Sequence, residues 1–334
     1  MIPYTRKTLP NGLTVVVNRD RASKLAAVNI LYRVGARNEN PARTGFAHLF
    51  EHLMFRGTRT VENFDLPVQM ASGDNNAFTN NDYTDFYITL PKDNLETALW
   101  LESDRMEGLD ITPAKLEAEK KVVIEEFRQR YLNQPYGDQT MLLRALAYKV
   151  HPYRWAAIGL ATDHIAGATL ADVESFYRTH YRPSNAILSI SADMEEERML
   201  ELAEKWFAPL ADHPSATAAI PQEPMQTQAR RQEVERDVPA STVTVAYHMC
   251  ARTKPDFYTA ELVSDLLSGG DSGRLYTHLV KERNLLSSVN AYITGDVDPG
   301  LFVFTGQLLP GVTPEAAEAA FREEIEALQT TVAT

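Results

Sequence analysis

Two histidines and a glutamate in one short segment are the residues of this chain best suited to chemistry. His48 and His52 are four residues apart, and Glu51 lies between them in the largely apolar stretch Gly45–Phe55. At helical pitch, residues four apart share one face, so both imidazoles can point to one metal ion. Imidazole suits zinc, and a catalytic zinc site has three protein ligands and an open position for water. Glu51 is then placed to activate that water as a general base.

The same pattern also arises when two ordinary surface histidines lie beside an acid on a helix. The chain has eight histidines, and a quarter of them fall in this single helical turn. That concentration within an apolar segment favours the metal site over the surface interpretation.

A third metal ligand must come from another part of the chain, and two glutamates on one predicted helix are the candidates. Glu119 and Glu126 are seven residues apart, which is two helical turns. Apolar residues flank them, and a buried carboxylate needs a partner. The spacing alone leaves open whether they face a metal or belong to a solvated acidic face with Glu117 and Glu125.

Helix caps and apolar periodicity predict the elements that position these side chains. The first site helix spans about 44–56 with Thr44 as its cap, and the second spans about 113–131 with Thr112 as its cap. Further strands are predicted at 13–18, 26–34, 83–90 and 186–191, and further helices at 95–107, 139–148, 170–180, 195–207 and 313–328. Strands and helices without strict alternation indicate an α+β fold.

Part of the sequence recurs further along the chain. Val28–Tyr32 and the Ala-Arg pair four residues later are echoed by Val243–Tyr247 and its own Ala-Arg pair, at an offset of 215 residues. At this offset the three site residues His48, Glu51 and His52 fall on Val263, Leu266 and Leu267. The recurrence predicts a duplicated domain whose second copy has no metal site.

The predicted domain limits follow from this repeat and from a proline-rich stretch between the copies. We expect a catalytic zinc-binding domain at 1–215, a linker at 216–237 and a second homologous domain at 238–334. The second copy contains no counterpart of the helix at 113–131. We therefore expect it to be incomplete, either because the chain is a fragment or because another chain completes it.

Composition and charge argue against several other classes of protein. A net charge of -12 argues against nucleic-acid binding, and the single Cys250 rules out an intrachain disulfide or a thiolate zinc cluster. No apolar run approaches the roughly 18 residues that suggest a membrane span. Residues 1–7 lack the apolar core of a secretion signal. We expect a soluble protein of unknown compartment, periplasmic if a signal peptide was removed and otherwise cytoplasmic.

The chain resembles the pitrilysin, insulin-degrading enzyme and mitochondrial processing peptidase family, in its bacterial processing-peptidase-like branch. His48-x-x-Glu51-His52 matches the inverted zinc motif of that family, and Glu119 with Glu126 matches its downstream acidic pair. Further matches are Asn11-Gly12-Leu13, Gly45-Phe46-Ala47, Asn76-Ala77-Phe78-Thr79, Tyr181-x-Pro183-x-Asn185 and Gly269-Gly270-Asp271-Ser272-Gly273. Together these matches span nearly the whole chain.

The resemblance implies a zinc-dependent endopeptidase that hydrolyses peptides or unfolded polypeptides, with one Zn²⁺ per chain. It implies His48, His52 and Glu126 as metal ligands, Glu51 as the general base, and Glu119 as a supporting acid. It also implies an α+β fold of two homologous domains, each with a mixed, mostly antiparallel sheet and helices packed on one face.

By the same resemblance, Asn76, Ala77, Phe78 and Thr79 lie on the edge strand of a sheet and bind the peptide substrate as an added strand. The alternative for Asn76 is an ordinary turn residue among neighbouring asparagines.

The resemblance also implies a partner. Relatives that act alone hold the substrate carbonyl with an Arg and a Tyr from the second half, and those positions correspond to Phe302 and Leu309 in this chain. Family branches with this deficit are split systems in which a metal-free partner chain supplies the pair. We therefore expect a homologous partner subunit or a dimer. The alternative function is a non-catalytic, peptidase-like assembly subunit, although such relatives typically lose part of the zinc motif that is complete in this sequence.

Overall fold

A computed structural model describes residues 2–213 and 218–330 of the chain. The chain forms two compact units, the first of Met1–Leu132 with Tyr148–Met225 and the second of Asn133–Ala147 with Gln226–Thr334. The predicted domain limit between residues 215 and 216 lies outside the described residues.

Strands and helices follow one another along the chain without strict alternation. The strands are β1 Thr5–Thr8, β2 Thr14–Arg19, β3 Leu25–Tyr32, β4 Asp74–Thr79, β5 Thr84–Pro91, β6 Ala186–Ala192, β7 Thr242–His248, β8 Leu286–Ile293 and β9 Leu301–Leu308. The α-helices are α1 Phe46–Leu53, α2 Asp65–Met70, α3 Leu95–Glu107, α4 Pro113–Phe127, α5 Gln139–Ala147, α6 Thr162–Ala166, α7 Leu170–His180, α8 Glu196–Phe207, α9 Asp256–Ser268 and α10 Pro314–Thr330. Short 3-10 turns lie at Ala36–Asn38, Lys92–Asn94, Pro152–Arg154, Pro183–Asn185 and Gly270–Ser272, and π-helical turns at Arg128–Leu132 and Tyr276–Glu282.

The first unit is built on a six-stranded mixed sheet in the order β1-β2-β6-β3-β5-β4. Only the β2–β6 pair is parallel, so the sheet is mostly antiparallel as predicted. Alternate residues of β3, namely Ala26, Val28, Ile30 and Tyr32, are fully buried, whereas Leu25 is 47% exposed. This period of two is expected of a strand with one face on a core. Helix α3 packs against β3 and β5, and α8 packs against β2.

The second unit repeats the central topology of the first. Its sheet has the order β7-β9-β8 with antiparallel pairs, which corresponds to β3-β5-β4. In chain order, the first of these strands is followed by α1 in the first unit and by α9 in the second, and the third strand is followed by α3 or α10. The predicted duplication is confirmed in this strand order. Leu267, at the position equivalent to His52, is buried in the core of the second unit.

The segment Asn133–Ala147 belongs to the second unit, although its sequence position suggested the first domain. The Tyr136 hydroxyl donates to Ala240 O at 2.8 Å. Gln139 Nε2 donates to Thr305 Oγ1 at 3.3 Å and also to Thr244. These bonds attach α5 to β7 and β9 across more than 100 residues of sequence, which local sequence patterns do not report.

Most predicted elements are confirmed within a few residues at each end. The predicted helices at 95–107 and 170–180 coincide with α3 and α7, and the long helix predicted at 113–131 is α4 followed by a π-helical turn. The first site helix is shorter than predicted, since α1 begins at Phe46 and ends at Leu53. In the described part of the chain, no helix is both long enough and apolar enough to span a bilayer.

Candidate functional site

Helix α1 presents both histidines of the motif and is otherwise almost entirely apolar. Its residues Phe46, Ala47, Leu49, Phe50 and Leu53 are buried. The Phe50 ring stacks on Phe176 of α7, with ring centroids 5.3 Å apart. This packing fixes the rotation of α1 and leaves the imidazoles of His48 and His52 on the side toward α4. Their ring centroids are 4.9 Å apart.

Glu39, rather than the predicted Thr44, caps the start of α1. The Thr44 hydroxyl instead accepts a hydrogen bond from Leu160 N at 2.7 Å, so the predicted cap is wrong. The Glu39 carboxylate accepts hydrogen bonds from Gly45 N and Ala47 N, both at 2.8 Å. Sequence reasoning missed Glu39 because it lies six residues before Gly45, outside the usual cap positions.

Helix α4 carries the two glutamates on a partly buried face. It begins as predicted, because Thr112 Oγ1 accepts a hydrogen bond from Lys115 N at 3.2 Å and Pro113 occupies the first turn. The buried residues of the helix are Leu116, Glu119, Lys120, Val123 and Phe127. Their spacing of three and four residues places Glu119 on the buried stripe, and Glu126 follows two turns later.

The structure brings His48, His52 and Glu126 together. Glu126 Oε2 lies 3.6 Å from His48 Nε2 and 3.4 Å from His52 Nε2. One ligand atom from each residue lies within 4.8 Å of the other two. Ligands at about 2.0–2.1 Å around a tetrahedral zinc ion lie about 3.3–3.4 Å from one another. Two imidazole nitrogens and one carboxylate oxygen at these separations fit zinc and leave a fourth position open.

Glu119 lies behind this group and contacts the far side of His52. Glu119 Oε2 lies 3.4 Å from His52 Nδ1, while its Oε1 lies 2.5 Å from Arg56 Nε. The two oxygens of Glu126 also have different partners, since Oε2 approaches the imidazoles and Oε1 lies 2.9 Å from Arg130 Nη2. Each carboxylate therefore has one oxygen held by an arginine and one directed at an imidazole. A carboxylate on the second nitrogen of a metal-binding histidine fixes its tautomer and orientation.

Burial and the neighbouring acids set different protonation states for the two histidines. Burial lowers the pKa of His48 to about 4, which keeps its imidazole neutral. Burial also acts to lower the pKa of His52, but hydrogen bonds with Glu119 and Glu126 raise it to about 9. Metal ligation requires neutral imidazole. A cation bound at this site therefore replaces the proton that these carboxylates otherwise hold on His52.

Glu51 lies on the same helix, beside the three-residue group. Burial raises the pKa of Glu51, and a hydrogen bond with the Thr79 side chain opposes that rise. A carboxylate with a raised pKa can both accept and return a proton near neutral pH. A cavity of about 260 Å³ adjoins Glu51 and is lined by Glu51, His52, Phe55, Arg56, Asp65 and Glu119.

The residues Asn76, Ala77, Phe78 and Thr79 lie in β4, which is the last strand of the first sheet. Asn76 is therefore part of a strand and not of a turn. The backbone N–H of Ala77 donates to Asn76 Oδ1 at 2.8 Å, which indicates that this N–H is directed away from the β5 ladder. Phe78 is 43% exposed, and Thr79 bonds Glu51. The edge strand thus ends beside Glu51.

Phe302 and Leu309 lie in the second unit, and Phe302 packs against its apolar core. Phe302 is in β9 and stacks on Phe304 with ring centroids 5.0 Å apart. Leu309 follows β9, and its backbone N–H donates to Leu285 O at 3.1 Å. Neither side chain carries a hydrogen-bond donor, so neither can hold a carbonyl oxygen.

Comparisons with known proteins identify the family of the chain. Residues 14–155 match the family described as Insulinase (Peptidase family M16), and residues 167–333 match the Peptidase M16 inactive domain. The zinc protease PqqE of Helicobacter pylori is 33% identical over 327 residues, which cover 96% of this chain and 72% of that protein. The probable mitochondrial-processing peptidase subunit beta of Arabidopsis thaliana is 26% identical over 315 residues, covering 90% of this chain and 59% of that protein.

A solved structure gives the same result. The crystal structure of a protease from Helicobacter pylori matches with a TM-score of 0.94 at 31% sequence identity, and the match covers 100% of this chain and 82% of that one. The chain belongs to peptidase family M16.

Proposed function

We propose that this chain is a zinc-dependent endopeptidase that hydrolyses peptides or unfolded polypeptides, with one zinc ion held by His48, His52 and Glu126. The observation that carries this proposal is the approach of Glu126 Oε2 to within 3.6 Å and 3.4 Å of the two imidazole Nε2 atoms. Relatives named as zinc proteases support zinc as the metal.

The chain's own residues divide the work of hydrolysis. When bound, zinc polarises a water molecule and lowers its pKa toward neutrality. Glu51 accepts the proton of the attacking water and then donates it to the leaving amine, as a general base and acid in turn. Glu119 orients His52 through Nδ1 and balances its charge, with Arg56 fixing the other oxygen of Glu119.

The substrate binds as an additional strand along the open edge of β4. The outward backbone groups of an edge strand can pair with an extended peptide, which gives affinity without strict sequence preference. At Ala77 the peptide carbonyl replaces Asn76 Oδ1 as the acceptor of the N–H. Thr79 contacts Glu51 at the end of this strand, so a peptide paired with β4 runs toward the general base. This mode requires an extended chain, which favours peptides and unfolded polypeptides over folded proteins.

A partner chain completes the enzyme. Phe302 and Leu309 lack the donors that would stabilise a substrate carbonyl, so these groups have to come from a homologous subunit or from a second copy in a dimer. A relative named as subunit beta of a processing peptidase supports a multi-chain arrangement. A non-catalytic assembly subunit is the alternative, and the complete set of His48, Glu51, His52 and Glu126 argues against it.

Replacing the third ligand tests the metal site. Glu126→Gln keeps the size of the side chain but removes the anionic ligand, so we expect the zinc affinity to fall about 100-fold or more. Zinc content after dialysis against a chelator measures this. Glu125→Gln is the matched control, because Glu125 is more than half exposed and pairs with Arg128. Equal zinc retention by Glu126→Gln and the parent chain would show that another acid is the ligand.

Replacing the proposed base separates metal binding from catalysis. Glu51→Gln should retain zinc while kcat for peptide cleavage falls about 10²–10⁴-fold, because the amide cannot accept the proton of water. Metal analysis gives the zinc content, and cleavage of an internally quenched fluorescent peptide by the same preparation gives kcat. Cleavage at the parent rate would remove Glu51 from the mechanism, and a zinc-loaded parent that cleaves no peptide even with partner chains would support the assembly subunit.

A proline in β4 tests substrate binding at the edge. Ala77→Pro removes one N–H that is directed away from β5, so we expect KM to rise about two- to tenfold, the equivalent of one hydrogen bond. Zinc content should stay unchanged. Ala77→Ser retains the N–H at similar size and should keep the parent KM. Unchanged KM in Ala77→Pro would place the substrate elsewhere.

The need for a partner is tested by activity measurements in two arms. The chain alone should cleave about 10²-fold more slowly than a mixture with a homologous chain that carries Arg and Tyr at the positions of Phe302 and Leu309, because a carbonyl-stabilising donor contributes about that factor. In the second arm, specific activity is followed against the concentration of the chain itself, and a rise identifies a dimer. Full activity of a monomer in both arms would contradict the proposal.

A further inference from the structure

The start of the metal-binding helix has no cap of its own. Gly45 occupies the position before α1 with φ 91°, a left-handed conformation that favours glycine. A Cβ atom at Gly45 would lie 2.7 Å from Ile158 O, closer than real contacts allow. Residue 45 therefore cannot carry a capping side chain, although the first N–H groups of a helix have no partner within the helix.

Glu39 supplies the missing cap from outside the helix. Its Oε1 accepts from Ala47 N and its Oε2 accepts from Gly45 N, both at 2.8 Å. The N–H of Phe46, between these two, also bonds the same carboxylate. Burial raises the pKa of Glu39 to about 8, and the N–H donors of Ala47, Gly45 and Trp155 oppose that rise because they favour the anion. When ionised, a carboxylate at a helix N-terminus benefits from both the free N–H groups and the helix dipole.

The Glu39 side chain is itself held in place from two directions. Trp155 Nε1 donates to Glu39 Oε2 at 3.2 Å and to Ala36 O at 3.0 Å. The backbone N–H of Glu39 donates to Ala36 O at 3.2 Å, which closes the short turn before it. Glu39 is 6% exposed and Trp155 is 1% exposed. A solvated, mobile carboxylate could cap a helix, but a buried one held by the Trp155 indole and by the turn of its own backbone sets the position of the helix.

We infer that Glu39 is a positioning residue that fixes the first turn of α1, and with it the His48 imidazole, before the metal binds. His48 directly follows Ala47, whose N–H is bound to Glu39. Loss of this anchor lets the first turn fray, so that metal binding must order the turn as well as form the metal bonds. The inference rests on the proposed zinc site, and it assigns to Glu39 an effect on metal affinity rather than on peptide binding.

Metal titration of a matched pair of variants tests this inference. Glu39→Gln keeps the shape of the side chain, but its NH2 group faces donors and cannot accept their hydrogen bonds. We expect its zinc Kd, measured by competition with a chelator, to rise about 10–100-fold, the range found when groups that orient metal ligands are removed. Co²⁺, used as a spectroscopic probe, should show an altered ligand-field spectrum. At saturating zinc, KM for a peptide should equal that of the parent chain.

Glu324→Gln is the control for removing a buried carboxylate. Glu324 lies in the second unit, is 7% exposed, and bonds Arg274 Nε at 2.8 Å and His278 Nδ1 at 2.9 Å. It should leave the zinc Kd and the Co²⁺ spectrum as in the parent chain. A parent-like zinc Kd in Glu39→Gln would overturn the inference while leaving the zinc site intact. A parent chain that binds no zinc would instead overturn the proposed function.

Hydrogen exchange on the metal-free parent chain decides the question if Glu39→Gln does not fold. The amides of Gly45 and Ala47 should exchange as slowly as amides in the middle of α1, because the carboxylate already binds them. Exchange at the rate of an unstructured segment would show that the first turn is not fixed before the metal arrives, and would overturn the inference.

Discussion

The site depends on one carboxylate oxygen that approaches two imidazoles at the contact between two helices. Glu126 Oε2 is the atom that approaches both histidines, although Glu126 lies more than 70 positions later in sequence. No local interaction produces that approach. It follows from the burial of the apolar residues of α1 and of the stripe on α4, which fixes how the two helices pack.

Concentrating acids and imidazoles in a partly buried site is costly unless their charges are compensated. In this site each of the two carboxylates is paired with an arginine. Arg56 holds the outer oxygen of Glu119 and Arg130 holds the outer oxygen of Glu126, so the inner oxygens are both oriented and charge-balanced. Burial keeps the His48 imidazole neutral, whereas the two acids keep a proton on His52. The carboxylates that balance a proton on His52 would also balance the charge of a divalent cation.

The parts of this arrangement that sequence could predict are the local ones. The motif of His48, Glu51 and His52 needs only helical pitch, and the cap at Thr112 is a local pattern that the structure confirms. Choosing Glu126 over its neighbours required family resemblance, because spacing on α4 does not show which face meets α1. The cap at Thr44 was predicted wrongly, since the actual cap, Glu39, reaches Gly45 and Ala47 through tertiary structure. For the same reason the sequence did not show that α5 belongs to the second unit.

The assignment of α5 to the second unit means that neither unit is one continuous stretch of sequence. Tyr136 and Gln139 hydrogen-bond Gln307 and Thr305 of β9 from a segment that follows the π-helical turn after α4. A cut in the stretch between the two sequence repeats would therefore not yield two self-sufficient pieces. The later piece would lose the helix that hydrogen-bonds to β7 and β9, and the earlier piece would retain that helix without its sheet. The two units have similar folds, but α5 precedes the second repeat in sequence and belongs to the second unit in structure. A single cut between the repeats therefore cannot separate the two units.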